Sequence, residues 1–183
     1  MITDMDRYID IGVNLTGGSF KQDLPEVIER AQMAGVEMMV VTGTDIEHST
    51  QALALSEQYQ GVCYSTAGVH PHHASDYSSA VDSEIRDMLT QPGVVAVGEC
   101  GLDFNRNFST RSEQIRAFEA QLEIAIDTGM PVFLHQRDAH DDFVSMIKSC
   151  RDDLGHLVAH CFTGSVDEVN VISINLIEGS GAT

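Results

Sequence analysis

The chain has 183 residues, which is enough for one domain with a substantial hydrophobic core. Its formal net charge of −18 argues against binding of nucleic acid through a broad basic surface. It does not argue against an enzyme that meets a phosphodiester at a metal-containing pocket. No apolar run is long enough to span a membrane, and the first residues lack the pattern of a signal peptide. The four cysteines form no CxxC pair, so we interpret them as reduced, buried thiols of a cytosolic protein.

Strand-like and helix-like segments alternate along the chain. In order, the sequence predicts a strand at 8–13, a helix at 22–34, a strand at 38–42, a helix at 45–59, a strand at 62–69, a helix at 78–90, a strand at 94–98, a helix at 110–128 with a capping box, a strand at 132–135, a helix at 140–150 and a strand at 157–161. Apolar, β-branched strands such as the one at 94–98 suit a parallel sheet that is buried on both faces.

Six successive units of strand and helix indicate an α/β fold. A doubly wound open sheet would favour a glycine-rich phosphate loop after the first strand, and no GxGxxG motif lies there. A (β/α)8 barrel brings ligands together at several strand ends, which is the pattern in this chain. We therefore predict a (β/α)8 TIM barrel that is incomplete here, because such a barrel needs about 250 residues.

Three strand ends carry candidate metal ligands. Glu99 follows the fourth predicted strand, between Gly98 and Gly101, while His135 and His160 end the fifth and sixth. One carboxylate and two imidazoles leave coordination positions for water, which is typical of a catalytic metal site. Each histidine alone could equally be a hydrogen-bonded core residue, but three such residues on three strands favour the metal site.

Further polar residues lie near these strand ends. His70 ends the third strand, and it is either a substrate or phosphate contact near the ion or part of an exposed histidine-rich loop. His72 and His73 are interpreted as loop residues. Asp103 and Arg137 lie just past strand ends, and Arg137 either holds a phosphate by a bidentate contact or forms a salt bridge with a neighbouring carboxylate.

At these residues the chain resembles the TatD family of metal-dependent hydrolases. The resemblance extends from about residue 7 to residue 168. The runs that carry it are DIGVNL at 10–15, TAGVHPH at 66–72, GECGLDFNRN at 98–107, HQRDAH at 135–140 and HCFTG at 160–164.

The resemblance implies a barrel of the metallo-dependent hydrolase kind and a cytoplasmic, Mg2+-dependent deoxyribonuclease. The enzyme would act as a 3′-to-5′ exonuclease on single-stranded DNA, with RNA as a further candidate substrate. Besides Mg2+, the candidate metal ions are Mn2+ and Zn2+. Carried over to this chain, the metal ligands would be Glu99, His135 and His160. Glu99 and His70 would be catalytic, and we expect His70 and Arg137 to contact the substrate.

Two features depart from the family pattern. Much of the wider family has His-x-His after the first-strand Asp, whereas this chain has Gly12 and Asn14, a substitution that the TatD-like branch of the family shares. The family also has a late metal-binding Asp in a Thr-Asp-Ala-Pro-like run, which is missing here, and the chain leaves the pattern near Val169. We therefore expect a truncated barrel domain at 1–168, a tail at 169–183, weaker metal binding and reduced turnover. Association through the open edge of the barrel is a further expectation.

The leading function is thus hydrolysis of nucleic-acid phosphodiesters. Two alternatives remain at this stage. One is a metal-dependent amide or ester hydrolase on the same scaffold, since a fold does not fix the substrate. The other is a catalytically impaired fragment that binds a metal or a partner. No membrane partner is expected.

Overall fold

The computed structural model describes residues 7–173, which form six βα units. The strands are β1 (Tyr8–Val13), β2 (Val36–Val41), β3 (Cys63–Ala67), β4 (Val94–Asp103), β5 (Val132–Arg137) and β6 (Leu157–His160). The helices are α1 (Leu24–Met33), α2 (Ile46–Gln58), α3 (Ser79–Leu89), α4 (Arg111–Thr128), α5 (His140–Cys150) and α6 (Val166–Ile172), with short 3-10 helices at Gly18–Phe20, Pro71–Asp76 and Arg151–Asp153. The predicted alternation of strands and helices is confirmed.

The six strands form one sheet in which every neighbouring pair is parallel and the spatial order follows the chain order. The sheet curls into a nearly closed barrel, since the ring of His160 in β6 lies against Gly12 in β1. The predicted α/β barrel is therefore confirmed, with six units among residues 7–173. In a parallel barrel all strands end at the same face, and the polar residues at those ends are brought together there.

Buried apolar side chains fill the space between the sheet and the helices. The larger cluster includes Phe118 of α4 and Phe143 of α5, whose rings stack 5.6 Å apart over the buried strands β4 and β5. A second cluster joins Ile28 of α1 to Val41 of β2. Each such side chain stabilises the fold by about 1.5–3 kcal/mol when fully buried. The core thereby fixes the strand ends on which the polar residues stand.

Local sequence signals set the ends of several helices. The predicted capping box at the start of α4 is present, because Thr110 accepts from the Glu113 N–H while the Glu113 carboxylate accepts from the Thr110 N–H. The same helix ends at Gly129, which has the left-handed conformation common at that position. Because these signals are local, the predicted start of α4 differs from the observed start by only one residue, and the predicted end agrees with the observed one.

Two strands are longer than predicted. β4 continues to Asp103 instead of ending at residue 98, and β5 continues to Arg137 instead of ending at residue 135. The two strands keep pairing beyond a register shift between Val97 and Cys100, so that Asp103 faces Arg137 across the ladder. Glu99 and His135 consequently lie within strands and not beyond them.

The predicted domain boundary stays a prediction. Helix α6 carries the chain through residue 172, and residues 174–183 of the predicted tail lie outside the described residues. No helix among residues 7–173 is both long and apolar enough to cross a membrane. Of the cysteines, Cys63 and Cys100 are buried as expected, whereas Cys161 is exposed.

Candidate metal centre

His70, Glu99 and His135 converge at the carboxyl ends of β3, β4 and β5. Each offers one ligand atom, and these three atoms lie within 4.8 Å of one another. Nδ1 of His135 lies 3.1 Å from Oε1 of Glu99, and the rings of His70 and His135 are 4.4 Å apart. A carboxylate and two imidazoles at this spacing are a ligand set suited to a divalent transition metal.

Main-chain contacts with the segment after β2 fix the positions of two of these residues. The N–H of His70 donates to the carbonyl of Thr44, and the N–H of Glu99 donates to the carbonyl of Gly43, each at 2.8 Å. Neighbouring carbonyls therefore hold the two residues in register. Such rigid placement is what a preorganised site requires.

The backbone on either side of Glu99 needs glycine. Gly98 and Gly101 have φ angles of +121° and +143°, which other residues rarely adopt. A Cβ at Gly101 would also collide with the carbonyl oxygen of His135. The two glycines thus allow β4 to approach β5 closely, which brings the Glu99 carboxylate to His135 as the sequence predicts.

Asp103 is a buried carboxylate that joins two histidines. Its Oδ1 accepts the N–H groups of Asn105 and Arg106, while its Oδ2 lies 2.8 Å from Nε2 of His72 and 3.5 Å from Nε2 of His135. With Oδ1 saturated by backbone donors, Oδ2 is directed toward the histidines. A carboxylate behind a metal-binding histidine commonly orients its ring.

The charge states at neutral pH follow from these contacts. Burial, followed by the charge of His135, lowers the pKa of His70 to about 3, so that its ring is neutral. Burial tends to raise the pKa of Glu99, but the hydrogen bond from His135 and the nearby histidine charges outweigh it and lower that pKa. For Asp103 the raising effect of burial is likewise outweighed by its hydrogen-bond donors, which lower its pKa. Both carboxyl groups are therefore ionised.

The tautomer of the neutral His70 ring follows from its contact with His72. Nδ1 of His70 accepts the N–H of His72, so the neutral ring carries its proton on Nε2. Nδ1 of His135 donates to Oε1 of the ionised Glu99 at 3.1 Å, and Nε2 is the other nitrogen of that ring. That Nε2 is buried and has no hydrogen-bond partner among the described residues. A buried polar atom without a partner is unfavourable, and a cation would satisfy an unprotonated Nε2, so Glu99 and His135 fit a divalent metal.

His160 lies beside this group and is not one of its three members. It is the register partner of His135 on β6, and its ring stacks on Phe133 at 5.0 Å and packs against Gly12. Its charge is among those that lower the pKa of Glu99. The structure thus brings His160 to the same end of the barrel, with His70 nearer to Glu99 and His135.

Arg137 ends β5 opposite Asp103 in the ladder. Among residues 7–173 its guanidinium forms no ion pair or hydrogen bond, including none with the neighbouring carboxylates considered from the sequence. An unpaired guanidinium is well suited to an anionic oxygen.

The pair formed by His72 and Asp103 is not predicted from the sequence. His72 was interpreted as a loop residue, and its contact with Asp103 joins positions 31 residues apart. In the structure, the buried amide of Gln114 holds the backbone of Asp103 by accepting its N–H and donating to its carbonyl. A buried polar residue of this kind marks a backbone segment whose position matters.

Comparison with known proteins adds a family context to this geometry. The family model described as TatD related DNase matches residues 9–178. A protein of Musicola paradisiaca named 3'-5' ssDNA/RNA exonuclease TatD is 55% identical over 161 residues, which cover 88% of this chain and 61% of that protein. A protein of the same name from Edwardsiella piscicida is 48% identical over 172 residues and is covered to 66%. The chain thus spans 61–66% of the length of these curated relatives.

Solved structures give the same context. A TatD homologue from Escherichia coli K12 superposes with a TM-score of 0.82 at 30% identity, covering 92% of this chain and 65% of that one. An uncharacterised amidohydrolase from Saccharomyces cerevisiae superposes with a TM-score of 0.81 at 24% identity, covering 94% and 66%, and this second likeness concerns the fold alone.

Proposed function

This chain belongs to the TatD-related DNase family, and we propose that it is a divalent-metal-dependent nuclease acting from the 3′ end of single-stranded DNA, with RNA as a second substrate. The observation that carries the proposal is the convergence of His70, Glu99 and His135 within 4.8 Å of one another. The names of the relatives supply the substrate class. They give no support to an amide or ester hydrolase, or to an impaired fragment.

We assign the metal to Glu99, His135 and His160. Support comes from the partnerless Nε2 of His135, from the ionised Glu99 and from the register pairing of His160 with His135. A bound divalent ion supplies Lewis-acid polarisation of the phosphate and activation of water. Mg2+ is our first candidate from the family resemblance, while the two imidazoles also suit Mn2+ or Zn2+.

His70 acts on the substrate in this proposal. Its Nδ1 is occupied by the N–H of His72, so the proton of the neutral ring lies on Nε2. From that atom His70 donates a hydrogen bond to a phosphate oxygen and stabilises the charge that develops there. Arg137, whose guanidinium is unpaired among residues 7–173, contacts a second phosphate oxygen.

Degradation of an end-labelled single strand tests the proposal. Purified protein is incubated with Mg2+ and a DNA strand labelled at either the 3′ or the 5′ end, with and without a chelator. Glu99→Ala is the test variant, and Glu84→Ala on the exposed face of α3 is the matched control. We expect release of the 3′ label first, in a reaction that requires metal and is lost only in Glu99→Ala. A folded protein that degrades no strand, or equal rates in both variants, would overturn the proposal.

The cytoplasmic location, the reduced turnover and the association of copies of the chain stay predictions.

The association of copies is supported by exposed apolar side chains. Ile9 and Ile11 of β1 are 53% and 48% exposed, and Val158 of β6 is 37% exposed. Apolar side chains on adjacent edge strands favour association. Light scattering after size-exclusion chromatography tests this, because Ile9→Lys with Ile11→Lys should convert a dimer to a monomer.

A further inference from the structure

The loop between β4 and α4 presents an aromatic side chain beside the metal centre. Residues 105–108 of this loop (Asn-Arg-Asn-Phe) are all exposed, and Phe108 is 67% exposed. An exposed phenylalanine lacks the stabilising free energy that burial of its ring in the protein would provide. Its position therefore calls for an explanation.

The ring of Phe108 is close to the candidate catalytic residues. It meets the ring of His72 at 4.8 Å with an interplanar angle of 89°, and His72 in turn lies 4.3 Å from the ring of His70. One imidazole ring thus separates Phe108 from the residue that we assign to the scissile phosphate. The contact with His72 fixes one side of the phenyl ring and leaves most of it open to solvent.

The loop that carries Phe108 is held in place by hydrogen bonds. The buried Ser109 hydroxyl donates to the carbonyl of His72 and accepts from the N–H of Ser75. Gln114 donates to the carbonyl of Ser109, and the Asn107 side chain donates to the carbonyl of Phe104. A binding group on a preordered loop loses little entropy when a ligand arrives.

Only one other aromatic side chain among residues 7–173, that of Tyr8, is exposed. Tyr8 begins β1 at the opposite end of the barrel, and Met33 ends α1 at that same end. Phe108 is thus the exposed aromatic residue at the face where the ligand group lies. The exposed Arg106 on the same loop adds a positive charge. Exposed aromatic rings combined with basic residues are the usual means of binding single-stranded nucleic acid.

We propose that Phe108 is a stacking platform for a nucleobase of the substrate strand, next to the nucleotide whose phosphate reaches the metal centre. This inference rests on the proposed function. Stacking on an aromatic face tolerates every base, so the platform provides affinity without sequence preference. Its loss should weaken binding of a single strand roughly tenfold.

Tryptophan fluorescence tests the inference without requiring turnover. The chain contains no tryptophan, so Phe108→Trp introduces its sole indole. A single strand with phosphorothioate linkages, which resists hydrolysis, is titrated into this variant, and Met33→Trp on α1 is the control. We expect quenching in Phe108→Trp and none in Met33→Trp. A strand whose terminal residues are abasic should produce no quenching.

Affinities measured by fluorescence anisotropy complete the test. Phe108→Leu keeps an apolar side chain but lacks an aromatic face, and it should bind the normal strand roughly tenfold more weakly while binding the abasic strand like the wild type. If the wild type binds and degrades the strand but Phe108→Leu binds it equally well, or Phe108→Trp is not quenched, this inference alone fails. If the wild type neither binds nor degrades the strand, the proposed function fails and this inference fails with it.

Discussion

The imidazole of His160 occupies the space in which a side chain at Gly12 would have to lie. A Cβ built on Gly12 would be 2.5 Å from Cε1 and 2.7 Å from Nδ1 of His160. A larger side chain at position 12, such as a histidine, and the present orientation of the His160 ring exclude each other. The position of His160 relative to Glu99 and His135 therefore depends on a residue of the opposite edge strand.

Gly12→Ala should displace the His160 ring and weaken metal binding. The ring is the far end of a side chain and can move, so we expect an affinity loss of about tenfold with little change in the free energy of unfolding. Isothermal titration with Mn2+ measures the affinity, and urea denaturation measures the stability. Gly18→Ala is the control, because a Cβ there meets nothing within 4 Å. Unchanged Mn2+ affinity in Gly12→Ala would remove His160 from the ligand set.

Asp103→Asn should weaken metal binding although the side chain keeps its size. The amide can still accept from the backbone N–H groups of residues 105 and 106, but an amide nitrogen facing His72 cannot accept its Nε2–H. Loss of such an orienting contact typically costs 10–100-fold in metal affinity. Titration with Co2+, followed by its visible absorption spectrum, reports both affinity and ligand geometry. Asp87→Asn on the exposed face of α3 is the control, and equal behaviour of the two variants would exclude an orienting role for Asp103.

Gln121→Leu should destabilise the protein by about 1–3 kcal/mol, because it leaves the N–H and carbonyl of Val69 buried without partners. In the native chain Gln121 accepts the Val69 N–H at 2.7 Å and donates to the Val69 carbonyl at 3.0 Å, directly before His70. Gln121→Glu keeps the acceptor but buries a carboxylate that cannot donate to the Val69 carbonyl, so it should destabilise the protein at least as much as Gln121→Leu. Urea denaturation gives the two free energies. A loss below about 0.5 kcal/mol in Gln121→Leu would contradict this account.

Asp45→Ala should lower the free energy of unfolding by about 1 kcal/mol at neutral pH, and this loss should become smaller in acid. Asp45 begins α2 and accepts the N–H of His48; burial tends to raise its pKa, but the hydrogen bonds from His48 and the charge of His73 lower it on balance. A carboxyl group whose folded pKa lies below its unfolded value of 3.8 stabilises the protein above that pH, and loses this contribution as the pH falls through the folded pKa.

Urea denaturation of wild type and Asp45→Ala between pH 6 and pH 3 measures this effect. Ser78→Ala removes the uncharged cap of α3, and its cost should not change over the same range. If Asp45→Ala lowers the free energy of unfolding by the same amount at pH 6 and at pH 3, the charge of the Asp45 carboxylate contributes nothing beyond an ordinary cap.

The sequence predicted elements well where a signal is local. The bounds of β1 and α5 agree with the prediction residue for residue, because apolar runs and flanking breakers define them. Convergence of Glu99 with His135 was predictable, since parallel strands end at one face. The continuation of β4 to Asp103 was not, because it depends on a register shift that places glycines against the carbonyls of β5.

Two features of the site were not predictable from the sequence, because they depend on contacts between residues that are far apart in the chain. His72 reaches Asp103 only because the 3-10 helix Pro71–Asp76 turns it back over β4. The position of His160 likewise depends on how far the sheet curls toward β1, which no local pattern specifies. Both relationships arise from tertiary packing across dozens of residues.

The most direct test of the central claim is the location of Mn2+ by anomalous diffraction from crystals of the wild type and of Glu99→Ala. We expect one strong anomalous peak in contact with Glu99 and His135 in the wild type, with His160 completing the ligand set, and no peak there in Glu99→Ala. An ordered site without a peak, or a peak that persists in Glu99→Ala, would contradict the assignment of these residues as a metal centre and the nuclease function proposed from it.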